Sequence, residues 1–409
     1  GGLEAAGIRP LRPAAPSACP PNPSGLPEEV ERDDFCVYYS HNSITDDEAE
    51  WAADWVEDYW DRFDALGFDE PKHSGKMEVQ LLDIPGDCNG STGWSRNDIT
   101  TYAGCFGPDE LAQKVLGHEL THRVQYNHDT STGAPIQTKF LKEGTARASE
   151  DNWFANIDSW AAAPSFSSFN SEVNGYLLNT NRDITSYGMR YMSCLWWKYA
   201  SEQHGTITTE PERGVDFFLQ VYDQNTAGYK GVAAVNQALS AMGTGTTFNE
   251  SFERFAVANW TKDLTGVPNS SYNYIDEDEA GNPAPWGPAT TEYGGAIHTG
   301  TDVSWDNQAV NRYGLRYYQV EVGADCPVAW ASFHRDFDSP AFYHVVTQDG
   351  GAFHTHVEGS GEDWTQAFMN DGITEIMAIV GSLESASQVD VDLGCATPVI
   401  DIVMPNSGA

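Results

Sequence analysis

The chain has 409 residues and a formal net charge of −38, from 60 acidic and 22 basic side chains. Such a surplus excludes a protein that tracks nucleic-acid phosphates or is drawn to anionic membranes. The length predicts two domains, and no apolar run of about 18 residues is present to span a bilayer.

Residues 1–33 are rich in Pro, Ala and Gly and have no period, which predicts an extended N-terminal segment. The start at Gly1-Gly2-Leu3 reads as the trimmed, mature form of an exported protein. Seven cysteines occur and none forms C-x-x-C. Their spacing suggests the pairs Cys19–Cys36, Cys88–Cys105 and Cys326–Cys395, with Cys194 free in an apolar stretch. Disulfides imply an oxidising, extracellular setting. Abundant Asp, with Arg commoner than Lys, fits an acidic secreted or salt-adapted surface.

Cys36–Tyr39 is the first expected strand. Thr45-Asp46-Asp47-Glu48 is a capping box. It opens a helix whose expected buried face carries Trp51, Trp55, Val56, Tyr59, Phe63 and Leu66, ended by Gly67. Met77–Ile84 is a second strand, Pro85–Asn97 a loop, and Ile99–Gly104 a short strand. That last segment is either an edge strand, which would offer its backbone to an extended peptide, or an ordinary strand inside the sheet.

Pro108-Asp109-Glu110 starts a second helix, with Val115, Leu116, Leu120 and Val124 as its apolar stripe. It carries His118-Glu119-Leu120-Thr121-His122, an H-E-x-x-H motif. Residues i and i+4 lie one above the other on a helix, so both imidazoles reach one metal ion. Glu119 flanks that point, where a carboxylate takes a proton from a bound water. The pattern assigns His118 and His122 as zinc ligands and Glu119 as general base.

A third ligand is needed, and two candidates follow. His128 completes H-E-x-x-H-x-x-Q-x-x-H, which imitates the metzincin pattern. That pattern has Gly where Gln125 stands, because the chain turns there with positive φ. Gln favours continuing the helix. The other candidate is Glu143, in Phe140-Leu141-Lys142-Glu143-Gly144-Thr145-Ala146-Arg147. A second helix there, with small residues at 144, 146 and 148, would bring a carboxylate back to complete a His₂Glu site.

The pair H-E-L-T-H and L-K-E-G-T-A resembles the gluzincin-type zinc metallopeptidases. Ser186–Tyr199 and Phe248–Trp260 resemble later helices of the hyicolysin-like secreted branch, so the likeness covers roughly residues 35–265. The resemblance implies Zn²⁺ held by His118, His122 and Glu143, with Glu119 as base. It further implies an α+β fold: a zincin-type catalytic domain over 34–265, with a mixed sheet, an active-site helix and a helical lower half. Where thermolysin has an acid four residues after the ligand Glu, this chain has Arg147, so Glu150 or Asp151 would orient a ligand His. Tyr187 is either the oxyanion donor, where gluzincins place a Tyr or His, or a Tyr packed at a helix start.

Helices are expected over Tyr187–Gln203, Pro211–Asn225, Tyr229–Met242 and Phe248–Leu264. His204 would end the first of these as a cation suited to the dipole. Residues 266–300 form a loop-rich linker, in which Asp276–Glu279 either binds Ca²⁺ or is a solvated acidic turn. Residues 301–409 alternate through about seven short segments, Tyr313–Val322, Val328–His334, Phe342–Gln348, Ala352–Val357, Ile373–Val380, Gln388–Leu393 and Val399–Met404, which predicts an all-β sandwich domain. Within it, His354 and His356 share a strand face, as a metal pair or a surface pair. The function implied is a secreted endopeptidase acting on protein or peptide, with no nucleic-acid partner and no membrane span. Glycan or surface docking through the sandwich, and a non-catalytic zinc-containing adhesin, are the alternatives.

Overall fold

The structure, a computed structural model, describes residues 18–84, 88–106, 109–128, 138–150, 173–209, 212–262, 264–268, 270–275, 287–335 and 341–397. Asp151, Asp276–Glu279 and the expected strand at Val399–Met404 lie outside them. The chain packs as two compact units. Described residues of the first fall within 1–136, 149–157 and 225–228; those of the second fall within 137–148, 158–224 and 229–409. The architecture combines helices, a mixed sheet and a C-terminal all-β region, which is α+β.

The first unit is built on a five-stranded sheet ordered β1-β2-β3-β5-β4. Its strands are β1 (Glu28–Glu31), β2 (Phe35–Tyr39), β3 (Met77–Leu82), β4 (Gly90–Thr92) and β5 (Asp98–Tyr102). β2, β3 and β5 run parallel, while β1 and β4 pair antiparallel at the two ends. β1 lies inside the segment expected to be merely extended, and the Cys19–Cys36 disulfide ties that segment to β2. Of the two readings of 99–104, the ordinary sheet strand holds. β5 is flanked on both sides, and the edge is β4, where Gly90-Ser91-Thr92 folds back on Thr101-Thr100-Ile99.

Helix α1 (Asp46–Leu66) crosses from β2 to β3. The Thr45–Glu48 capping box forms in both directions, and Gly67 ends the helix at φ 91°. Its buried face is Ala49, Ala52, Ala53, Val56, Tyr59, Trp60 and Phe63. Trp51, expected inside, is 47% exposed. The stripe that reaches the core follows the alanines, which let the helix come close to its neighbours.

Helix α2 (Asp109–Asn127) crosses α1 where Gly117 meets Tyr59; a Cβ at Gly117 would sit 2.5 Å from the phenol ring. Leu116, Leu120, Thr121, Arg123, Val124 and Gln125 are all buried, so α2 is enclosed nearly all round rather than along one stripe. Enclosed polar groups need partners. Arg123 donates to the carbonyls of Gly93 and Arg96 at 3.0 and 2.6 Å, which fixes the β4–β5 turn onto α2.

The second unit has helices α3 (Lys139–Ala148), α4 (Cys194–His204), α5 (Val215–Thr226), α6 (Val232–Ala241) and α7 (Phe248–Thr261). The helix expected from Tyr187 starts later. Tyr187–Met189 is a 3-10 turn, and α4 begins at Cys194. Phe140, Trp196, Trp197 and Phe248 interlock around α4, with neighbouring ring centroids 4.8 to 6.0 Å apart. Gly144 is required by that packing, since a Cβ there would lie 2.5 Å from Trp197. Cys194 is buried and unpaired with another cysteine, as expected.

Nine strands follow among the described residues: β6 (Thr291–Ile297), β7 (Asp302–Val310), β8 (Leu315–Val322), β9 (Val328–Arg335), β10 (Ala341–Asp349), β11 (Ala352–Ser360), β12 (Asp363–Met369), β13 (Glu375–Ser382) and β14 (Ser387–Ala396). They form sheets β11-β10-β13-β8-β6 and β12-β9-β14-β7. The two sheets share one core, which includes Tyr318, Val320, Phe333, Tyr343, Val345, Val380, Val391 and Leu393, and the Cys326–Cys395 disulfide ties it. Residues of alternate parity face α7: Tyr317 donates to the Ala256 carbonyl at 2.9 Å, and Phe342 meets Phe252 at 6.2 Å. β13 is therefore buried on both faces.

Candidate metal centre

The motif residues sit in the second half of α2. His118, Glu119 and His122 are all buried, at 9, 7 and 4% exposure. The two imidazoles lie edge to face with centroids 4.6 Å apart, one helical turn from each other. Each ring is held through Nδ1. His118 Nδ1 lies 2.8 Å from Glu150 Oε1, and His122 Nδ1 lies 2.8 Å from Gln125 Oε1. Of the two acids expected to orient a ligand ring, Glu150 makes the contact, and Asp151 lies outside the described residues. Gln125 continues the helix as expected, and it is also buried and grips the second ring.

Around Glu119 the walls are β4 and the loop after it. A Cβ on Gly90 would lie 2.4 Å from Val115 Cγ1 and 3.0 Å from Glu119 Cγ. Only glycine lets the edge strand pass so close to the carboxylate-bearing turn. The charge of Glu119 adds to the lift that Asp98 gives the Arg96 guanidinium.

Glu143 lies on α3, 5% exposed, with Lys139 Nζ 2.7 Å from its Oε1 one turn earlier. His128, the competing candidate, follows the last residue of α2 and is buried. Its Nε2 accepts from the Asp69 N–H at 3.3 Å, and its ring packs edge-on against Phe68. α2 runs on through Gln125 to Asn127 without the turn that would bring His128 back.

Tyr187, the candidate oxyanion donor, is 66% exposed, with the Arg190 guanidinium 4.7 Å over its ring. The phenol that feels Glu143 is Tyr191. Burial raises its pKa, the charge of Glu143 raises it further, and a hydrogen bond from Arg190 pulls it back. Nothing in the sequence separated Tyr191 from Tyr187, four residues earlier.

His204, expected as a cation at a helix end, is instead buried and hydrogen-bonded to Ser251 Oγ at 2.9 Å. Burial, aided by the Arg254 charge, lowers its pKa from 6.5 to about 4. Asn259, in the N-x-S/T sequence Asn259-Trp260-Thr261, is buried with its side-chain oxygen accepting from Tyr274, so it is closed to glycosylation.

No protein-family model matches the chain, and no curated protein does. Solved structures match weakly. The pre-peptidase C-terminal domain of a Bacillus anthracis collagenase is 10% identical over 26% of this chain and 98% of its own, with a TM-score of 0.20. Tripeptidyl peptidase 2 is 8% identical over 26% of this chain and 10% of its own, with a TM-score of 0.21. A family GH115 4-O-methyl-alpha-glucuronidase is 10% identical over 69% of this chain and 39% of its own, with a TM-score of 0.17. TM-scores this low support no conclusion about the chain's relatives or its activity.

Proposed function

We propose that this protein is a secreted zinc-dependent endopeptidase of the gluzincin type, with His118, His122 and Glu143 as metal ligands and Glu119 as general base. The observation that carries this reading is the pair of buried imidazoles one helical turn apart, each held through Nδ1, with Glu119 on the same turn as His118. The donor set fits zinc: two imidazoles and one carboxylate make a three-ligand set that keeps a position open for chemistry. Both rings are already engaged through Nδ1 by an acceptor oxygen, which fixes the tautomer and makes Nε2 the ligand nitrogen. Zinc held there would supply Lewis acidity, to acidify a water and polarise a carbonyl.

The protein's own groups do the rest. Glu119 takes the proton of the attacking water and delivers it to the leaving amine. Glu150 and Gln125 hold the two imidazoles, and Lys139 balances part of the Glu143 charge. Tyr191 is the phenol we assign to the developing oxyanion. β4, the terminal strand of its sheet, passes beside Glu119 and offers backbone groups to an extended peptide. Three disulfides support an extracellular site of action.

Two substitutions test the reading on a casein or peptide substrate. Glu119→Gln is expected to keep zinc at one equivalent and to lose hydrolysis by at least about 10²–10⁴-fold. Glu143→Ala is expected to lose the zinc. Unchanged hydrolysis by Glu119→Gln would exclude the mechanism and favour a structural zinc, as in an adhesin.

A further inference from the structure

The helix-facing side of the β11-β10-β13-β8-β6 sheet carries a second cluster of ligand-type side chains. In the β10–β11 register His344 stands directly opposite Glu358, and Val346 stands opposite His356. Residues two apart on a strand share a face, so His344, His356 and Glu358 lie on one surface. The two histidines are joined: His344 Nδ1 is 2.9 Å from His356 Nε2, and the rings stack at 5.0 Å. Tyr272 closes the far side of His356, with ring centroids 4.6 Å apart. His354, the partner expected for His356, sits in the β-bulge and meets Thr347 instead.

α7 covers this face and brings Glu253. A cavity of about 710 Å³ results, lined by Glu250, Glu253, Arg254, Arg335, His344 and Glu358 among others. His344 is 2% exposed, and its Nε2 is a buried polar atom without a hydrogen-bond partner. An orphaned ring nitrogen is costly in a protein interior and calls for an explanation.

We propose that His344 Nε2, together with the carboxylates of Glu253 and Glu358, binds a divalent transition-metal ion of the zinc class, at a site separate from His118, His122 and Glu143. His356 is a positioning residue that sets the ring angle and tautomer of His344. Burial holds both imidazoles neutral, with pKa values near 3 and 4, and neutral imidazole is the ligand form. Glu253 is raised to about 7 by burial and then by the charges of Glu358 and Glu250, a repulsion that a dication relieves. One nitrogen with two carboxylates suits zinc and its neighbours; calcium and magnesium favour all-oxygen shells. As placed, these ligand atoms are not within 4.8 Å of one another. The two glutamates would swing toward His344 on binding, pinning α7 to β10 and β11.

The test uses the full chain carrying His118→Ala/His122→Ala, so that the other site is disabled, with Zn²⁺ as the probe in equilibrium dialysis. One equivalent of zinc is expected, with a rise in Tm. Adding His344→Gln, or the pair Glu253→Gln/Glu358→Gln, is expected to remove it. Adding His356→Gln is expected to weaken it by about 10–100-fold. If His344→Gln does not fold, the glutamate pair carries the test. Absence of zinc binding in the His118→Ala/His122→Ala chain overturns the proposal. So does a zinc equivalent that survives the glutamate pair, which would be adventitious surface binding. Neither outcome bears on hydrolysis by the wild-type chain.

Discussion

Glu150 Oε1 and His118 Nδ1 lie 2.8 Å apart, and both side chains are buried. A carboxylate behind a metal-binding imidazole raises its basicity and fixes its angle. The matching contact on His122 comes from Gln125, a neutral amide. The two rings therefore differ in the charge behind them. Glu150→Gln is expected to keep the geometry and lower zinc affinity by about 10–100-fold. Zinc dissociation against a chelator measures it, and an unchanged constant would mean that the carboxylate charge is not felt at the metal.

Gly90 stands where β4 crosses α2, with Val115 and Glu119 both inside the space a Cβ would fill. Gly90→Ala must push the edge strand outward or turn Glu119 away. The expected cost is about 1–3 kcal/mol of stability, as for overpacking elsewhere, together with a fall in kcat. Urea unfolding and peptide hydrolysis on one preparation separate the two effects. Full activity with full stability would show that β4 moves freely.

Tyr191 and Tyr187 make opposite forecasts. Tyr191→Phe is expected to reduce kcat by about 10²–10³-fold, the cost of losing one oxyanion donor. KM should change little. Tyr187→Phe, at an exposed ring, is expected to leave both constants as they are. If the effects are reversed, the donor assignment moves to Tyr187.

His204 sets part of the acid limit. Its folded pKa, about 4, lies below the ordinary 6.5. The unfolded chain therefore binds a proton first as pH falls. The stability due to its neutral form is fully present above about 6.5 and is lost as pH falls toward about 4. The loss is roughly 3 kcal/mol at most by linkage. His204→Gln can still bond Ser251 and has no such titration. Its stability is expected to vary less than that of the wild type between pH 6.5 and 4. Parallel curves over that window would contradict this.

Local signals were legible where chemistry and spacing coincide. The capping box at Thr45, the stop at Gly67 and the three disulfide pairs stand as the residues suggested. These features act over a few residues, or through a small set of cysteines. The strands that went unseen share one property. β6, β7 and β12 are all terminal strands of their sheets, as is β4. A terminal strand has fewer neighbours and a more solvated surface, so its sequence stays mixed. β7 alternates through Asp302, Ser304 and Asp306 with little to distinguish it from a loop. β10 and β13, covered on both faces, announced themselves through continuous apolar runs.

By itself, the sequence determined the ligand-type residues of one helical turn, because i,i+4 spacing places His118 beside His122 in any α-helix. It also determined the mixed class and the covalent ties. The tertiary structure decided which groups attend them: Glu150 and Gln125 behind the rings, Gly90 against Glu119. It likewise paired His344 with His356 across two strands. Those relationships depend on register and packing between elements far apart in the chain, and no local pattern of residues carries that information.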